Sequence, residues 1–258
     1  MRLPGKKRTL QVENLAILPL AVLIGVVLGA LGSGGAILAL PLLVYGALLP
    51  LKQAVAVSQL VVGTAALVGT LLQWRSGRVA WREVLIFGAA GMPATKVGAM
   101  LAEHLDARWL MLGFAGLVMV AGVRMFQSAA DNRVGKSRVG VSIVLGAVVG
   151  VLTGMLGVGG GFLLVPALIA FGGLDARRAT ATSLPVIAVN SLTGAVQHSA
   201  QWGEVLGLAF SFLGATLVGT FVGLQMGKAA SELKLKQALG IVLVSVGLVV
   251  GVVNLWRV

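Results

Sequence analysis

The stretch GMLGVGGGFLLVP, residues Gly154–Pro166, places five glycines and a proline inside one of the most apolar parts of the chain. An apolar run of this kind predicts a helix, yet glycine and proline are the residues least favourable to a helix interior. Irregular backbone inside a bilayer is tolerated only where protein or a polar cavity surrounds it. The stretch therefore predicts a helix that is broken within the membrane.

The composition indicates a polytopic membrane protein. Of 258 residues, 58% are hydrophobic and 11% are charged, whereas soluble domains carry about 25% charged residues. A helix needs roughly 20 apolar residues to cross the hydrocarbon core. Ten apolar segments predict an all-α fold with roughly eight to ten membrane segments: 15–31, 34–48, 54–73, 84–102, 109–126, 139–157, 160–174, 179–198, 205–226 and 238–256.

The charged and aromatic residues are placed as a membrane protein requires. The net charge is +12, and eighteen of the twenty Lys and Arg lie in connectors or termini, Lys96 and Arg124 being the exceptions. Basic connectors that hold helix ends at the cytoplasmic face explain this distribution, so a nucleic-acid partner is not expected. An interfacial aromatic belt is predicted by the five tryptophans at segment ends: Trp74, Trp81, Trp109, Trp202 and Trp256.

The two halves of the chain match each other at an offset of 125 residues. GVVLGALGSGGAILALP (25–41) aligns with GVLTGMLGVGGGFLLVP (150–166) at nine of seventeen positions, and Ser58 aligns with Ser183. We therefore expect an internal duplication. Its parts are a first repeat at 1–127, a polar connector at 128–138 and a second repeat at 139–258.

The connectors do not settle the orientation of the repeats. Connectors 74–83, 127–138 and 227–237 each hold three basic residues, and the N-terminus holds four. Five crossings per half place the basic N-terminus outside, whereas four crossings leave 227–237 outside, against the rule that basic loops face the cytoplasm. Inverted repeats are the favoured prediction because they bring the two glycine breaks together at the midplane.

A broken transmembrane helix offers a binding place for an anion. The break frees backbone N–H groups at the start of the next helix, and the positive end of the helix dipole favours negative charge there. Matching interruptions in two halves point to the midplane site of a transporter. The residues expected to take part are Gly34, Gly35, Gly159, Gly160 and Gly161.

The alternative is that glycines only allow helices to pack closely. The four-residue spacings of Gly25 with Gly29 and of Gly150 with Gly154 fit that explanation. Adjacent glycines cannot all face one neighbouring helix, so breaks remain the preferred prediction for the glycine runs.

GMLGVGGGFLLVP, followed by ARRATATSLPVIAVNSLTGAVQH (176–198), resembles the TauE/SafE family of membrane permeases, the sulfite exporter or toluene-sulfonate uptake group. The resemblance covers nearly the whole chain as two repeats. The first repeat matches more loosely, with Ser33 and Ala36 where the family often has glycine. The resemblance implies transport of small anions such as sulfite, sulfonates and related sulfur compounds, without singling out one of them.

Polar side chains inside spans are costly and often functional. Ser58–Gln59 and Thr182–Ser183 occupy equivalent places, just inside the segment that follows each broken pair. Their hydroxyl and amide groups are expected to complete the anion site, unless the hydroxyls bond to carbonyls of their own helix. Asn190 lies in the middle of a segment and is either a substrate contact or a bond between helices.

Two ionisable residues are further candidates for the substrate site. Lys96 stands inside VLIFGAAGMPATKVGAMLA (84–102), where it either attracts the anion or extends towards the membrane boundary. His198 carries a proton if transport is coupled to protons, or it is an ordinary interfacial residue.

These features predict a transporter of small anions, a secondary carrier or permease. An anion channel or a membrane scaffold is the alternative. GKS at 135–137 lacks the upstream glycine of a nucleotide-binding loop. An enzyme is not expected, and we predict no catalytic residue, metal site or cofactor. The expected location is a cell membrane, that of a bacterium, with the lipid bilayer and a small anionic solute as partners; a homo-oligomer remains open.

Overall fold

The computed structural model of the chain describes residues 5–32, 35–130, 139–156 and 161–256. These ranges contain helices and no strand, which confirms the predicted all-α membrane fold. Each of the ten predicted apolar segments contains one α-helix. The helices are α1 Gly5–Leu31, α2 Ala36–Pro41, α3 Leu51–Gln73, α4 Trp81–Ala102, α5 Ala107–Ala130, α6 Val139–Leu156, α7 Gly161–Ala170, α8 Ala176–Gln197, α9 Leu206–Ala229 and α10 Glu232–Trp256.

Two of the helices are too short to cross a bilayer. Within the described ranges, six helices are long and apolar enough to do so: α3, α4, α6, α8, α9 and α10. In contrast, α2 has 6 residues and continues into a π-helical turn at Leu42–Gly46, and α7 has 10 residues. At 1.5 Å per residue these segments are about 15 Å long, half of the roughly 30 Å hydrocarbon core.

The first glycine cluster interrupts a helix. α1 ends at Leu31, Gly32 adopts a φ of +69°, and α2 starts at Ala36. A Cβ added at Gly35 would lie 2.5 Å from the Cα of Leu28, so the chain passes close to α1 as α2 begins. In the second half, α6 is described as far as Leu156 and α7 from Gly161. The first predicted break is confirmed; the second falls at 157–160, outside the described residues, as do Gly34, Gly159 and Gly160.

The helices pair across the two halves of the chain. α1 packs along α9, α4 along α6, α3 along α8 and α5 along α10. A Cβ added at Gly29 would lie 2.7 Å from the backbone N of Leu224 in α9, and one at Gly154 would lie 2.7 Å from that of Ala99 in α4. These glycines therefore allow helices to approach closely, as expected for Gly25, Gly29, Gly150 and Gly154.

The direction of each pair follows from successive contacts. Gly25 lies against Thr220 and Gly29 against Leu224, so α1 and α9 are parallel. The same argument makes α4 and α6 parallel, since Gly150 lies against Gly91 and Gly154 against Ala99. In α3 and α8 the order reverses, because Gly63 lies against Leu192 and Gly69 against Leu184. α3 and α8 are therefore antiparallel at the centre of the molecule.

One end of the molecule is strongly basic. A cleft there brings together the C-terminal turns of α1, α3 and α9, the N-terminal turns of α8 and α10, and Arg78 before α4. We call this the basic end. Seven described basic side chains lie there: Arg75, Arg78, Arg82, Arg177, Arg178, Lys228 and Lys234. Only Lys52 and Arg108 are described at the opposite end.

The sides of the bundle carry the apolar surface that lipid requires. Large exposed hydrophobic side chains lie along the spans, including Leu85, Val144 and Phe210. The rings of Trp74 and Trp81 meet at the basic end with centroids 4.6 Å apart. Trp109 and Trp256 are exposed at the other end. Aromatic residues thus border the apolar surface at both ends, as interfacial belts do.

We expect the basic end to face the cytoplasm, because basic loops are retained on that side. The chain has no cysteine, so single cysteines report without background. Ser76 and Ser199 are exposed at the basic and the opposite end. In intact bacterial cells, a membrane-impermeant maleimide should label Ser199→Cys and spare Ser76→Cys, which should react only after permeabilisation. The reverse pattern would contradict this orientation.

Candidate functional site

Six fully buried polar side chains lie on four helices near the C-terminal end of α6. We call them the polar cluster: Ser58 and Gln59 of α3, Thr95 of α4, Thr153 of α6, and Asn190 and Ser191 of α8. Their helices are those that pair at the centre of the bundle. Burial of so many polar groups is costly unless they find partners, so their contacts decide what the cluster does.

Gln59 joins α3 to α6 and α8. Its Nε2 donates to the backbone carbonyl of Thr153 over 2.8 Å. The side chain fills the space beside Gly194, where an added Cβ would lie 2.5 Å from Nε2. The Oε1 atom is buried and has no hydrogen-bond partner among the described residues. Half of the amide is therefore held in place while the other half remains free.

Asn190 occupies the matching position between α8 and α4. An added Cβ at Gly91 would lie 2.5 Å from Oδ1 and 2.6 Å from Nδ2 of this side chain. Neither amide atom has a partner within the described part of the chain. Gly91 also lies against Gly150 of α6. The stretch of α6 from Gly150 to Thr153 thus contacts both Gln59 and Gly91, and Gly91 in turn lies against Asn190.

The hydroxyl groups of the cluster divide into two kinds. Thr95 and Thr153 donate to carbonyls four residues earlier in their own helices, at 2.9 and 2.8 Å. Ser58 and Ser191 have buried Oγ atoms with no partner among the described residues. Buried polar atoms without partners are rare in proteins and cost about 1–3 kcal/mol each. The free atoms of Ser58, Gln59, Asn190 and Ser191 are therefore the candidates for contact with a ligand or water.

Ser183 lies at the first helix break, away from the polar cluster. A Cβ added at Gly32 would lie 2.6 Å from Ser183 Oγ and 2.8 Å from the carbonyl oxygen of Thr180. Ser183 itself donates to that carbonyl over 2.8 Å. The neighbouring Thr182 hydroxyl accepts the backbone N–H of Ala80 over 3.0 Å. Both hydroxyls thus have hydrogen-bond partners within the fold. For Ser183 the partner is a carbonyl of its own helix, which is the alternative that the sequence left open.

The structure does not bring the first helix break and the polar cluster together at a single point. Along α3, Gly69 lies against Leu184, next to Ser183, while Gln59 lies against Gly194. The ten residues between Gln59 and Gly69 correspond to about 15 Å of helix. The first break and the polar cluster therefore lie at different depths along the α3–α8 pair.

The two depths differ in polarity. Positions 125 residues away from the members of the polar cluster hold mainly apolar residues. Leu184 corresponds to Gln59, Leu28 to Thr153, Ala65 to Asn190 and Ala66 to Ser191. Unpartnered polar side chains are therefore concentrated near the second glycine cluster.

The remaining predicted residues lie outside the polar cluster. Lys96 is exposed on α4 and forms no ion pair with a described residue. His198 is half-buried at the C-terminal end of α8, with Nδ1 3.0 Å from the carbonyl oxygen of Gly194. Gly35 packs against α1, and Gly161 begins α7. Among the described residues, no three side chains of the types that bind metals come together.

Sequence reasoning missed Gly91, Thr95, Thr153 and Ser191. One sequence signal for Thr95 is its position four residues after Gly91. The Gly91 carbonyl accepts the Thr95 hydroxyl, and the missing side chain of Gly91 leaves space for Asn190. The offset of 125 was the other available signal, because it shows which polar residues lack a polar counterpart. Neither signal identifies the facing helix.

The comparisons with known proteins agree on a family. The profile described as sulfite exporter TauE/SafE matches residues 17–250. A probable membrane transporter protein of Xylella fastidiosa (strain 9a5c) is 28% identical over 249 residues, 91% of this chain and 92% of the relative. The probable membrane transporter protein YdhB of Bacillus subtilis (strain 168) is 25% identical over 224 residues, 84% of this chain and 91% of the relative.

A third relative comes from another organism. The probable membrane transporter protein MJ0441 of Methanocaldococcus jannaschii is 25% identical over 201 residues, 73% of this chain and 75% of the relative. No solved structure matches the chain at a significant level. Since the profile spans nearly all of its membrane helices, this multi-pass protein belongs to the TauE/SafE sulfite exporter family of membrane transporters.

Proposed function

We propose that the protein is a secondary carrier for small oxyanions, with sulfite and organosulfonates as the substrate class. The observation that carries the proposal is the set of unpartnered buried atoms of Ser58, Gln59, Asn190 and Ser191. These atoms lie on helices that pack beside the C-terminal end of α6, where the second glycine cluster begins. The family and its relatives support transport, and the chemistry of the cluster supports an anion.

The polar cluster offers neutral hydrogen-bond donors. The Ser58 and Ser191 hydroxyls and the Asn190 Nδ2 group can donate to an oxyanion. α7 begins directly after the second glycine cluster, and its first N–H groups have no partner inside the helix. The cluster contains no carboxylate to repel an anion. Neutral donors bind an anion without the strong ion pairing that would hinder its release.

We further infer that the two halves are inverted repeats that exchange contacts. α1 runs towards the basic end, whereas α6, parallel to α4, runs away from it. The contact of Gly29 with Leu224 has its counterpart in that of Gly154 with Ala99, each residue shifted by 125. Reciprocal contacts of this kind are the property of a two-fold relation. Rocking of one half against the other then supplies alternating access.

The proposal describes transport without chemical change of the solute. The polar cluster holds amides and hydroxyls without a base or a metal ligand set, so it binds an anion without reacting with it. No cofactor takes part, and the proposed location is the plasma membrane of a bacterium.

Flux into proteoliposomes tests this function. We expect saturable uptake of sulfite or an organosulfonate, and acceleration by unlabelled substrate on the far side, because a carrier exposes one site alternately. Non-saturating flux without counterflow would indicate a channel instead. Equal indifference to sulfite, thiosulfate, sulfoacetate and non-sulfur oxyanions would contradict anion transport altogether. Protein-free liposomes provide the baseline for leakage.

A further inference from the structure

A cleft opens at the basic end where the ends of several helices meet. Its space, with the open mouth included, is about 300 Å³. We call it the basic cleft after its polar lining: Gln73, Arg78, Arg177, Thr180 and Lys228. It is distinct from the polar cluster, none of whose residues line it.

The three cations of the basic cleft have no neutralising carboxylate among the described residues. The ion pair recorded at this end joins Arg82 to Glu83 over 3.5 Å and involves none of them. The nearby Asp175 carboxylate accepts the backbone N–H of Arg178 over 2.8 Å and caps the start of α8. Like charges gathered in one cleft repel each other. A bound anion relieves that repulsion.

Arg177 is positioned as an anion ligand. One guanidinium nitrogen donates to the carbonyl oxygen of Ala230 over 2.8 Å, which ties α8 to the end of α9. Its Nε is shielded from solvent and has no partner in the described part of the chain. The guanidinium fork suits the geometry of oxyanions and forms strong charge-assisted hydrogen bonds with them. Arg177 lines the cleft, so an oxyanion there can accept from its guanidinium group.

The basic cleft adjoins the first helix break. Thr180 lines the cleft, and its carbonyl oxygen lies 2.8 Å from the position of an added Cβ at Gly32. The cleft therefore stands between the basic end and the broken α1–α2 segment.

Among the side chains that the structure describes, the opposite end has no equivalent concentration of positive charge. Shifting the three cations by 125 residues gives Gly203 for Arg78, Lys52 for Arg177 and Glu103 for Lys228. One cation and one carboxylate replace three cations. At these matched positions, positive charge is therefore gathered at the basic end.

We propose that the basic cleft is an oxyanion-binding vestibule. It binds the oxyanion group of either a small soluble anion or an anionic lipid headgroup, through Arg177 with Arg78 and Lys228. Its role in delivering substrate to the first break rests on the proposed anion transport, but binding of the oxyanion does not.

Sulfate binding to purified protein in a neutral detergent tests the vestibule. Neutralising both cations in Arg177→Gln/Lys228→Gln should raise the Kd for sulfate roughly tenfold or more, as expected for lost charge-assisted contacts. Arg178→Gln is the matched control, because Arg178 is exposed, neighbours Arg177 and does not line the cleft. Its Kd should remain that of the wild type.

A second arm distinguishes the source of the oxyanion. Native mass spectrometry after reconstitution with phosphatidylglycerol should show retained lipid that the double variant loses, if a headgroup occupies the cleft. Loss of sulfate binding alone identifies a soluble anion. Unchanged sulfate affinity and lipid retention in the double variant would overturn the proposal, as would absence of both in the wild type.

The same measurements separate this proposal from that of transport. Asn190→Ala removes an amide of the polar cluster and leaves the basic cleft intact. If Asn190→Ala binds sulfate with the affinity of the wild type while Arg177→Gln/Lys228→Gln does not, oxyanion binding in the basic cleft is supported even where flux is absent. If flux is normal in the double variant at all anion concentrations, the cleft is not a loading site.

Discussion

Replacing Gly154 by leucine should abolish most of the folded protein. A Cβ at this position would meet the Thr95 carbonyl and lie 2.7 Å from the Ala99 backbone N. These are backbone atoms, so α4 and α6 would have to separate along their whole contact. Overpacking usually costs about 1–3 kcal/mol, and contact with backbone leaves little room for adjustment. The yield of monodisperse protein and its Tm measure the effect.

Gly214→Leu in α9 is the matched control. Nothing lies within 4 Å of a Cβ added at Gly214, and the residue is exposed on the surface of its helix. Leucine there should be tolerated, since it replaces a residue that disfavours helix by about 1 kcal/mol. Wild-type yield and Tm for Gly154→Leu would show that α4 and α6 do not cross as closely as described.

Combining Gln59→Leu with Asn190→Ala should remove transport while the fold persists. Each change introduces the residue found 125 positions away in the other half, Leu184 for Gln59 and Ala65 for Asn190. The other half of the chain thus already contains each new side chain at the corresponding position. Three unpartnered buried atoms disappear with the two amides, which offsets the loss of packing and of the bond to Thr153. The Asn190 Nδ2 group carries two N–H donors, and a hydrogen bond to a charged group contributes about 1.5–3 kcal/mol, so the loss of both should lower kcat/KM about 100-fold or more.

The control for this pair is Ser142→Ala. Ser142 is fully buried in α6 and its Oγ has no partner among the described residues, yet it is not part of the polar cluster. Its replacement should leave both flux and Tm close to the wild type. If the double variant transports normally with an unchanged Tm, the polar cluster does not bind the solute. If Ser142→Ala abolishes flux as well, the effect is not specific to the cluster.

The breaks and their surroundings were predictable because their causes are local. Apolar run length and glycine content determine where a helix begins and ends, so α2 and α7 were expected as short pieces beside the glycine clusters. Ser58, Gln59 and Asn190 are buried, as expected for polar side chains inside apolar segments. Their role in substrate binding stays a prediction. Lys96 could not be placed by the same argument, because one segment has both lipid-facing and buried sides.

The topology needed the packing of helices. Counting charges could not place the basic connectors and the basic N-terminus on the same side of the membrane. The number of crossings was uncertain because half-helices and full crossings are both apolar in sequence. The basic cleft brings Arg78 and Lys228 together, so the connectors on either side of them face the same way. This arrangement follows once α2 and α7 are half-helices that return the chain within the membrane.

By itself the sequence determined a membrane protein of ten apolar segments with two interrupted helices, because hydropathy and glycine act on the nearest few residues of backbone. Only the tertiary structure decided that α1 lies along α9 and α4 along α6. It alone separated the first break from the polar cluster and left Gln59 and Asn190 without full partners. Such partnerships join residues far apart in the chain, and their energies depend on which helix faces which, a property that no local pattern contains.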